Sequence, residues 1–429
     1  MKDFATSSDP AVQAQLDRLA QLSLPQGRFG LETIRALLGR LGNPQDRLPP
    51  VFHVAGTNGK GSTCAYLRAM LEAGGLTVHT ATKPHLVRYN ERIRIGGTLI
   101  SDAELAERLR DVLDAGEDLS PSFFEVTTAA TFLAFAEAPA DACVIEVGLG
   151  GRFDATNVIA HPAACGIASL GIDHEAFLLA PEPGTPDDPI ARIAFEKAGI
   201  VRPGRPLVTQ AYPESAELEI ERAALAAGAP LHMRGRDWSA HAGSRLEYED
   251  RHGRLALPLP ALAGAHQADN AALAVAMLRH QDFVTVDAVA INEGIRTARW
   301  PARLQRLGEG PLTALAAGRE VWLDGGHNPD AGAAISRHFE GPVHLVIGML
   351  ANKNPLAIIE PLDDRISSLS VVPVPGSDCH DAIAFGPRAK AFGSVAEALQ
   401  AIGPDGPILI AGSLYLAGEV LRANDETPD

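Results

Sequence analysis

A chain of 429 residues is longer than one ordinary core accommodates and calls for two domains. With 46% hydrophobic and 21% charged residues it has the make-up of a globular protein. Its formal charge of −16 sets the overall field against nucleic acid and anionic membrane as partners. The four cysteines, Cys64, Cys143, Cys165 and Cys379, form no Cys-x-x-Cys pair, so neither a zinc cage nor a disulfide framework is indicated and a reducing compartment is expected. Met1 to Ala5 begins no signal peptide, and no apolar run approaches the roughly 18 residues of a membrane span, so the expected location is the cytoplasm.

In chain order, short apolar runs alternate with helical segments, the pattern of parallel sheets covered by helices. Strands are expected at Val51 to Ala55, Thr77 to Ala81, Ala142 to Val147, Ala164 to Leu170 and Pro206 to Gln210. A second series follows at Val321 to Asp324, Val343 to Gly348, Leu369 to Val374 and Pro407 to Ala411. Ser101-Asp102-Ala103-Glu104 is a helix start of the capping-box type. Pro181 to Pro189 reads as a surface loop, Ser244 to Pro260 as an inserted hairpin, and Ala265 to Leu278 as a long alanine-rich helix. The domain boundary is expected at 297/298, beside Trp300-Pro301, which gives domains of 1–297 and 298–429.

The first strand opens into Gly56-Thr57-Asn58-Gly59-Lys60-Gly61-Ser62 and then a helix. A glycine turn entering a helix converges backbone N–H groups on one point, and Lys60 adds a cation, so the segment reads as a nucleotide phosphate loop. It departs from the standard pattern: Val54 replaces the first glycine, and Gly61 replaces the hydroxyl residue that should follow the lysine and touch the metal. That contact must come from elsewhere, from a hydroxyl such as Thr82 or Ser62 or from a water. Glu146 closes a strand ahead of Gly148-Leu149-Gly150-Gly151, which places a carboxylate where ligands of open α/β sheets collect.

Several further segments then add up. Glu146 to Asn157, Asp173-His174, Glu196 to Ile200, Trp300 to Gln305 and Asp324-Gly325-Gly326-His327-Asn328-Pro329 follow the phosphate loop in an order that resembles the folylpolyglutamate synthase and dihydrofolate synthase family of the Mur ligase superfamily. The resemblance runs from about Gly30 to Gly418. It implies an α/β fold with a P-loop ATPase-like N-terminal domain of the Mur ligase central type, a smaller Rossmann-like C-terminal domain, and ATP in the cleft between them. The reaction it implies is ATP-dependent joining of L-glutamate to dihydropteroate or a folate through an acyl phosphate. Alternatives are a folylpolyglutamate synthase without the first activity, a cell-wall Mur ligase, whose extra N-terminal domain the early position of Gly56 disfavours, and a catalytically degenerate nucleotide-binding member.

The same resemblance assigns the candidate residues. Lys60, Lys197 and His327 are catalytic, and Gly56 to Ser62, Asn270, Arg303 and Asp324 bind ATP. Phe124 stacks on the pteroate ring and Asp154 pairs with the pterin's amino group. Glu146, His174 and Lys197 hold Mg²⁺, two ions in all, with Lys197 carbamylated. Each has a plainer reading from its residue type alone: a hinge ion pair for Arg303, core packing for Phe124, a hydrogen-bonded imidazole for His174, a helix-surface amide for Asn270, and for Lys197 a surface lysine paired with Glu196. One segment departs from the family, with Thr82-Lys83-Pro84-His85 where it has Thr-Ser-Pro-His. An ammonium has no lone pair for a metal, so either the metal is retained with a weaker first site or the Lys83 charge replaces part of the metal's against the ATP phosphates; the match of Glu146, His174 and Lys197 to the family's metal positions favours the first. The chain is expected to be a monomer.

Overall fold

The computed structural model describes residues 6–22, 30–403 and 405–428; the Met1 to Ala5 segment therefore lies outside the described residues. Two compact units are present. The first comprises 1–83, 88–261 and 268–298, and the second 84–87, 262–267 and 299–429. The main change of unit falls one residue from the expected boundary, but two short excursions, 84–87 and 262–267, also belong to the second unit. Sequence composition gives no sign of them, since they differ from their neighbours only in what they touch.

The first unit is built on β1 (Val51–Ala55), β2 (Val78–Ala81), β3 (Ile93–Ile95), β4 (Thr98–Leu99), β5 (Ala142–Glu146), β6 (Ala164–Ile167), β7 (Leu207–Thr209) and β8 (Leu231–Met233), in the sheet order β4-β3-β2-β5-β1-β6-β7-β8. The pairs from β2 to β8 are parallel, and β3 and β4 add an antiparallel edge. β1, β2, β5 and β6 are buried at every position, as strands covered on both faces must be. One face packs Val51, Cys143 and Ile145 against the helices Glu32–Arg40, Asp102–Gly116 and Phe123–Glu137, and Cys165 and Ile167 against Pro189–Ala198 and Glu214–Ala227. On the other, Met277 of the helix His266–Arg279 lies against Gly166, and Lys60–Ala73 packs on Ala288–Thr297.

The expected hairpin is a three-stranded meander, β9 (Trp238–Ala242), β10 (Leu246–Asp250) and β11 (Gly253–Leu257). In β9 only Trp238 is buried, so the strand carries too little apolar alternation to be legible. Ser101 caps the helix Asp102–Gly116 by accepting from the Glu104 N–H. Pro181 to Pro189 is a mostly exposed loop as far as the first turn of Pro189–Ala198.

The second unit holds β12 (Gln305–Arg306), β13 (Val321–Leu323), β14 (Val343–Ile347), β15 (Ile366–Val371), β16 (Ala389–Ala391) and β17 (Ile408–Ala411), ordered β12-β13-β17-β14-β15-β16. All pairs except β12–β13 are parallel. Val321, Leu323, Val346, Ile408 and Ile410 face one apolar core, and Val343, Leu345, Ile347 and Leu409 the other. Both units are thus mixed α/β with parallel sheets. Among the described residues no helix is long and apolar enough to cross a membrane.

Candidate active site

The parallel order of β2, β5, β1 and β6 turns their carboxyl ends to one edge, where Glu146 ends β5, Lys60 opens the helix after β1, and the segments after β2 and β6 carry Lys83 and His174. Gly59 precedes the helix Lys60–Ala73 with φ +81°, in the left-handed region. A Cβ there would come 2.3 Å from Asn270 Oδ1, so only glycine fits. Asn270 therefore lies against the phosphate loop. Thr57 braces the loop from beneath, its N–H donating to Ser169 O at 2.7 Å and its hydroxyl to Gly171 O at 2.8 Å. Gly61 and Ser62 are buried in the first helical turn, with Ser62 only 2% exposed.

Two lysines converge on this loop. Lys60 Nζ donates to Gly56 O at 3.0 Å and Thr57 O at 3.1 Å, and Lys197 Nζ donates to the same Gly56 O at 2.9 Å. Lys197 is not the surface partner of Glu196: it is 4% exposed, and Glu196 is taken by Arg152, at 2.8 Å and 3.2 Å, and by Arg192 at 3.2 Å. Glu182 joins the same two arginines. Burial, with the Lys60 charge adding to it, pushes the Lys197 amine down to about 7. His174 sits with φ +53° ahead of the short helix Glu175–Leu178, its N–H held by Asp173 Oδ1 at 2.7 Å.

Glu146, 4% exposed, accepts the Lys83 backbone N–H at 3.0 Å. Among the described residues no group of three or more His, Cys, Asp or Glu side chains is placed to hold a metal ion. Glu146 and His174 offer two of the expected donors, and Lys197 as an ammonium adds positive charge. The set fits a divalent cation only when Lys197 carries a carboxylate-like carbamate.

Asp154 is an anchor. Oδ2 accepts from the Gly148 and Leu149 N–H groups, both at 2.9 Å, and Oδ1 from the Thr156 N–H at 3.0 Å and its hydroxyl at 2.5 Å. A carboxylate has about four lone-pair sites, so a pterin amino group would have to displace one of these bonds. The Thr156 proton being spent on Asp154, His53 must donate its Nε2–H to Thr156 Oγ1, 2.8 Å away. Burial holds that imidazole neutral, down to about 3. Burial also pushes the Asp154 carboxyl up, but the Lys83 charge and the hydrogen bonds from Thr156 and Leu149 outweigh it and keep it below the usual range. Asp154→Ala should destabilise the protein by about 3 kcal/mol, since it strands three backbone donors beside the glycine turn. A shift in the urea midpoint reads this out. An unchanged midpoint would deny the anchoring role.

Phe124 lies in the first turn of Phe123–Glu137, behind a complete capping box of Ser122 and Glu125. Its ring rests on the glycine turn: a Cβ at Gly148 would come 2.3 Å from Cε1. Lys83 Nζ stands 4.9 Å from the ring centroid. Arg152, Thr156 and Glu196 lie in segments the sequence singles out, but the His53–Thr156 and Arg152–Glu196 pairings are not signalled there, since the partners lie 103 and 44 residues apart.

In the second unit Asp324, 6% exposed, accepts from Leu304 N–H at 2.8 Å and Gly326 N–H at 2.6 Å. It ties the Arg303 turn to the turn after β13. Ala302 and Leu304 flank Arg303 with φ +54° and +42°, left-handed positions that cost non-glycine residues energy and cluster at functional sites. Arg303 Nη1 donates to Ala302 O at 2.8 Å, and His327 Nδ1 lies 3.0 Å from Gly325 O. Arg303, Asp324 and His327 are thus brought together within this unit. Asn328 caps Pro329–Ser336 through the Ala331 N–H, as its sequence alone explains. An open hollow of about 740 Å³ lined by Trp322, His338, Phe339 and Asp405 lies instead at the amino ends of the strands, the end where ligands of such sheets do not collect.

Comparison with known proteins bears on the chain as a whole. No family model matches the chain. Folylpolyglutamate synthase of Lacticaseibacillus casei is 34% identical over 415 residues, covering 90% of this chain and 92% of the relative. The dihydrofolate synthase/folylpolyglutamate synthase of Escherichia coli is 33% identical and covers 92% of each. The chain belongs to the folylpolyglutamate synthase/dihydrofolate synthase family. Among solved structures, E. coli FolC in complex with DHPP and ADP matches with a TM-score of 0.83 at 32% identity over 97% of both chains. The Yersinia pestis bifunctional enzyme complexed with AMPPNP and Mn ion matches with a TM-score of 0.83 at 30% identity, over 98% and 99% of the two chains.

Proposed function

We propose that this family member is an ATP-dependent ligase that joins the amine of L-glutamate to the carboxyl group of dihydropteroate, of folates, or of both, through an acyl phosphate, releasing ADP and phosphate. The observation that carries the reading is the convergence of Lys60 and Lys197 on the Gly56 carbonyl of the phosphate loop. Two anions, a carboxylate and a triphosphate, must be brought together in this reaction, so fixed positive charge at the loop is what the chemistry demands.

In this reading Gly56 to Ser62 cradle the phosphates, Lys60 lies along their outer oxygens, and Asn270 is the amide beside the nucleotide. Glu146, His174 and the carbamate of Lys197 would hold Mg²⁺, two ions in all, which supplies the charge that screens the phosphates. Phe124 stacks on the pteroate ring, while Arg303, Asp324 and His327 serve the nucleotide and the incoming glutamate. Relatives named for both activities support bifunctionality. The cysteines among the described residues are unpaired, which suits a reducing cytoplasm, and the charge of −16 suits an enzyme that binds neither nucleic acid nor membrane. A monomer completes the picture.

Hydrolysis of ATP should require both a pteroate compound and L-glutamate. Phosphate release that is equally fast with either omitted, or absent with both present, would sink this reading.

A further inference from the structure

Arg152, Arg192, Glu182 and Glu196, none of them assigned a part in the reaction, close a ring of ion pairs. Arg152 meets Glu182 at 2.6 Å and Glu196 at 2.8 Å, and Arg192 meets the same two carboxylates at 3.4 Å and 3.2 Å. Their side chains are only 6% to 23% exposed. Taking four charges out of water costs about as much as their pairing returns, so the ring adds little to stability. What it fixes is how three segments meet. Each of the three carries one candidate cation donor: Arg152 lies on the glycine turn that follows Glu146, Glu182 on the segment that follows His174, and Arg192 and Glu196 on the helix Pro189–Ala198, which holds Lys197.

Arg192 reaches His174 through one residue. Its Nε donates to Leu178 O at 3.0 Å, and the Leu178 N–H donates to His174 O at 3.0 Å. The Leu178 side chain lies against the glycine turn, where a Cβ on Gly150 would come 3.0 Å from Cδ2. The turn is pinned in its own right to the helix of Lys197. The Arg152 N–H donates to Glu196 O at 2.8 Å, and Asn157 Nδ2 donates to Arg152 O at 2.9 Å and to Gly199 O at 3.0 Å. We propose that this ring sets the spacing of His174 and Lys197, and that Arg192 is a positioning residue for the cation they share. The proposal rests on the ligase reading above for that cation and adds the part that holds its donors in place. The two positive and two negative charges cancel, so the ring acts on a cation through geometry and not through its field.

The test is Mn²⁺ titration of the full-length chain in bicarbonate with one equivalent of AMPPNP, free Mn²⁺ being read by electron paramagnetic resonance against a protein-free blank. Arg192→Met leaves the ring with an excess negative charge, which by its field alone would tighten Mn²⁺ binding. Loss of positioning loosens it instead, by the roughly 10- to 100-fold that supporting interactions at metal sites contribute. Arg192→Lys keeps the charge but cannot reach two carboxylates and the Leu178 carbonyl at once, so its affinity should fall between those of wild type and Arg192→Met. Far-UV circular dichroism checks that each variant folds, and Arg192→Lys, which keeps the charge balance, carries the test if Arg192→Met does not fold. Mn²⁺ binding that is unchanged or tighter in a folded variant would overturn the proposal, whatever the change in melting temperature. Wild type that binds no Mn²⁺ beyond the blank would instead overturn the shared cation, and with it the metal site of the ligase reading.

Discussion

Lys60→Ala lowers kcat by about three orders of magnitude and leaves the fold intact. The size follows from position. Lys60 is the first residue of its helix, behind a left-handed Gly59, and its Nζ rests on the Gly56 and Thr57 carbonyls. A nucleotide's outer phosphate exchanges those two neutral acceptors for charged oxygens, and the gain is largest when charge spreads over the transferring phosphoryl group, where a single fixed cation is worth about 10³ or more in rate. The side chain fills no core, so its loss opens no cavity. Steady-state kinetics with saturating ATP, beside a circular dichroism spectrum, reads the effect. Unchanged turnover in a folded variant would remove Lys60 from the mechanism.

Lys197→Ala loses most activity as well, and recovers part of it with added formate or acetate. The neighbourhood explains why. Glu196, the adjacent acid, is committed to Arg152 and Arg192, which leaves the Lys197 ammonium on a neutral carbonyl next to a second cation. Burial pushes it down to about 7, so at neutral pH much of it is a free amine. Carbamylation would form an N–C bond between that amine and CO₂ and release a proton, giving a carbamate anion able to ligate a metal as a carboxylate does. Activity in bicarbonate should accordingly rise as pH climbs through about 7 and the neutral fraction grows. The unfolded chain, with a lysine pKa of about 10.4, binds more protons between those values. The lysine's cost to stability is therefore greatest below about pH 7 and fades as pH rises across that window. A small carboxylate occupying the space left by alanine restores the anion. An alanine variant indifferent to formate, together with mass spectra of the native protein showing only the bare amine in bicarbonate, would count against carbamylation.

Much of this was legible in the chain. Val51 to Ala55 and Ala142 to Glu146 announce themselves as mostly apolar runs, broken only by His53 and Glu146, ahead of glycine turns, because strands buried on both faces are largely apolar. The phosphate loop is equally plain, since its turn into the helix needs a glycine at Gly59, which takes a left-handed φ of +81°. What stayed hidden depends on contacts distant in sequence. Glu196 beside Lys197 suggests a local ion pair, yet its partner Arg152 is 44 residues away. Asp154 looks like an open acceptor until its four donors are counted. β9 escapes because only Trp238 of its five residues is buried, and the excursions at 84–87 and 262–267 change unit without any change of composition. Lys83 is the reverse case. In the sequence it stands out only as a departure from the family's Thr-Ser-Pro-His segment, and nothing there shows that its ammonium is sealed from solvent.

The most direct test of the whole account is a product assay in which dihydropteroate and tetrahydrofolate are offered separately, each with ATP, Mg²⁺ and L-glutamate, and followed by mass spectrometry. The account predicts one added glutamate on dihydropteroate, matched by one ADP per product, with tetrahydrofolate a second acceptor. A pure, folded protein that adds glutamate to neither compound would contradict it.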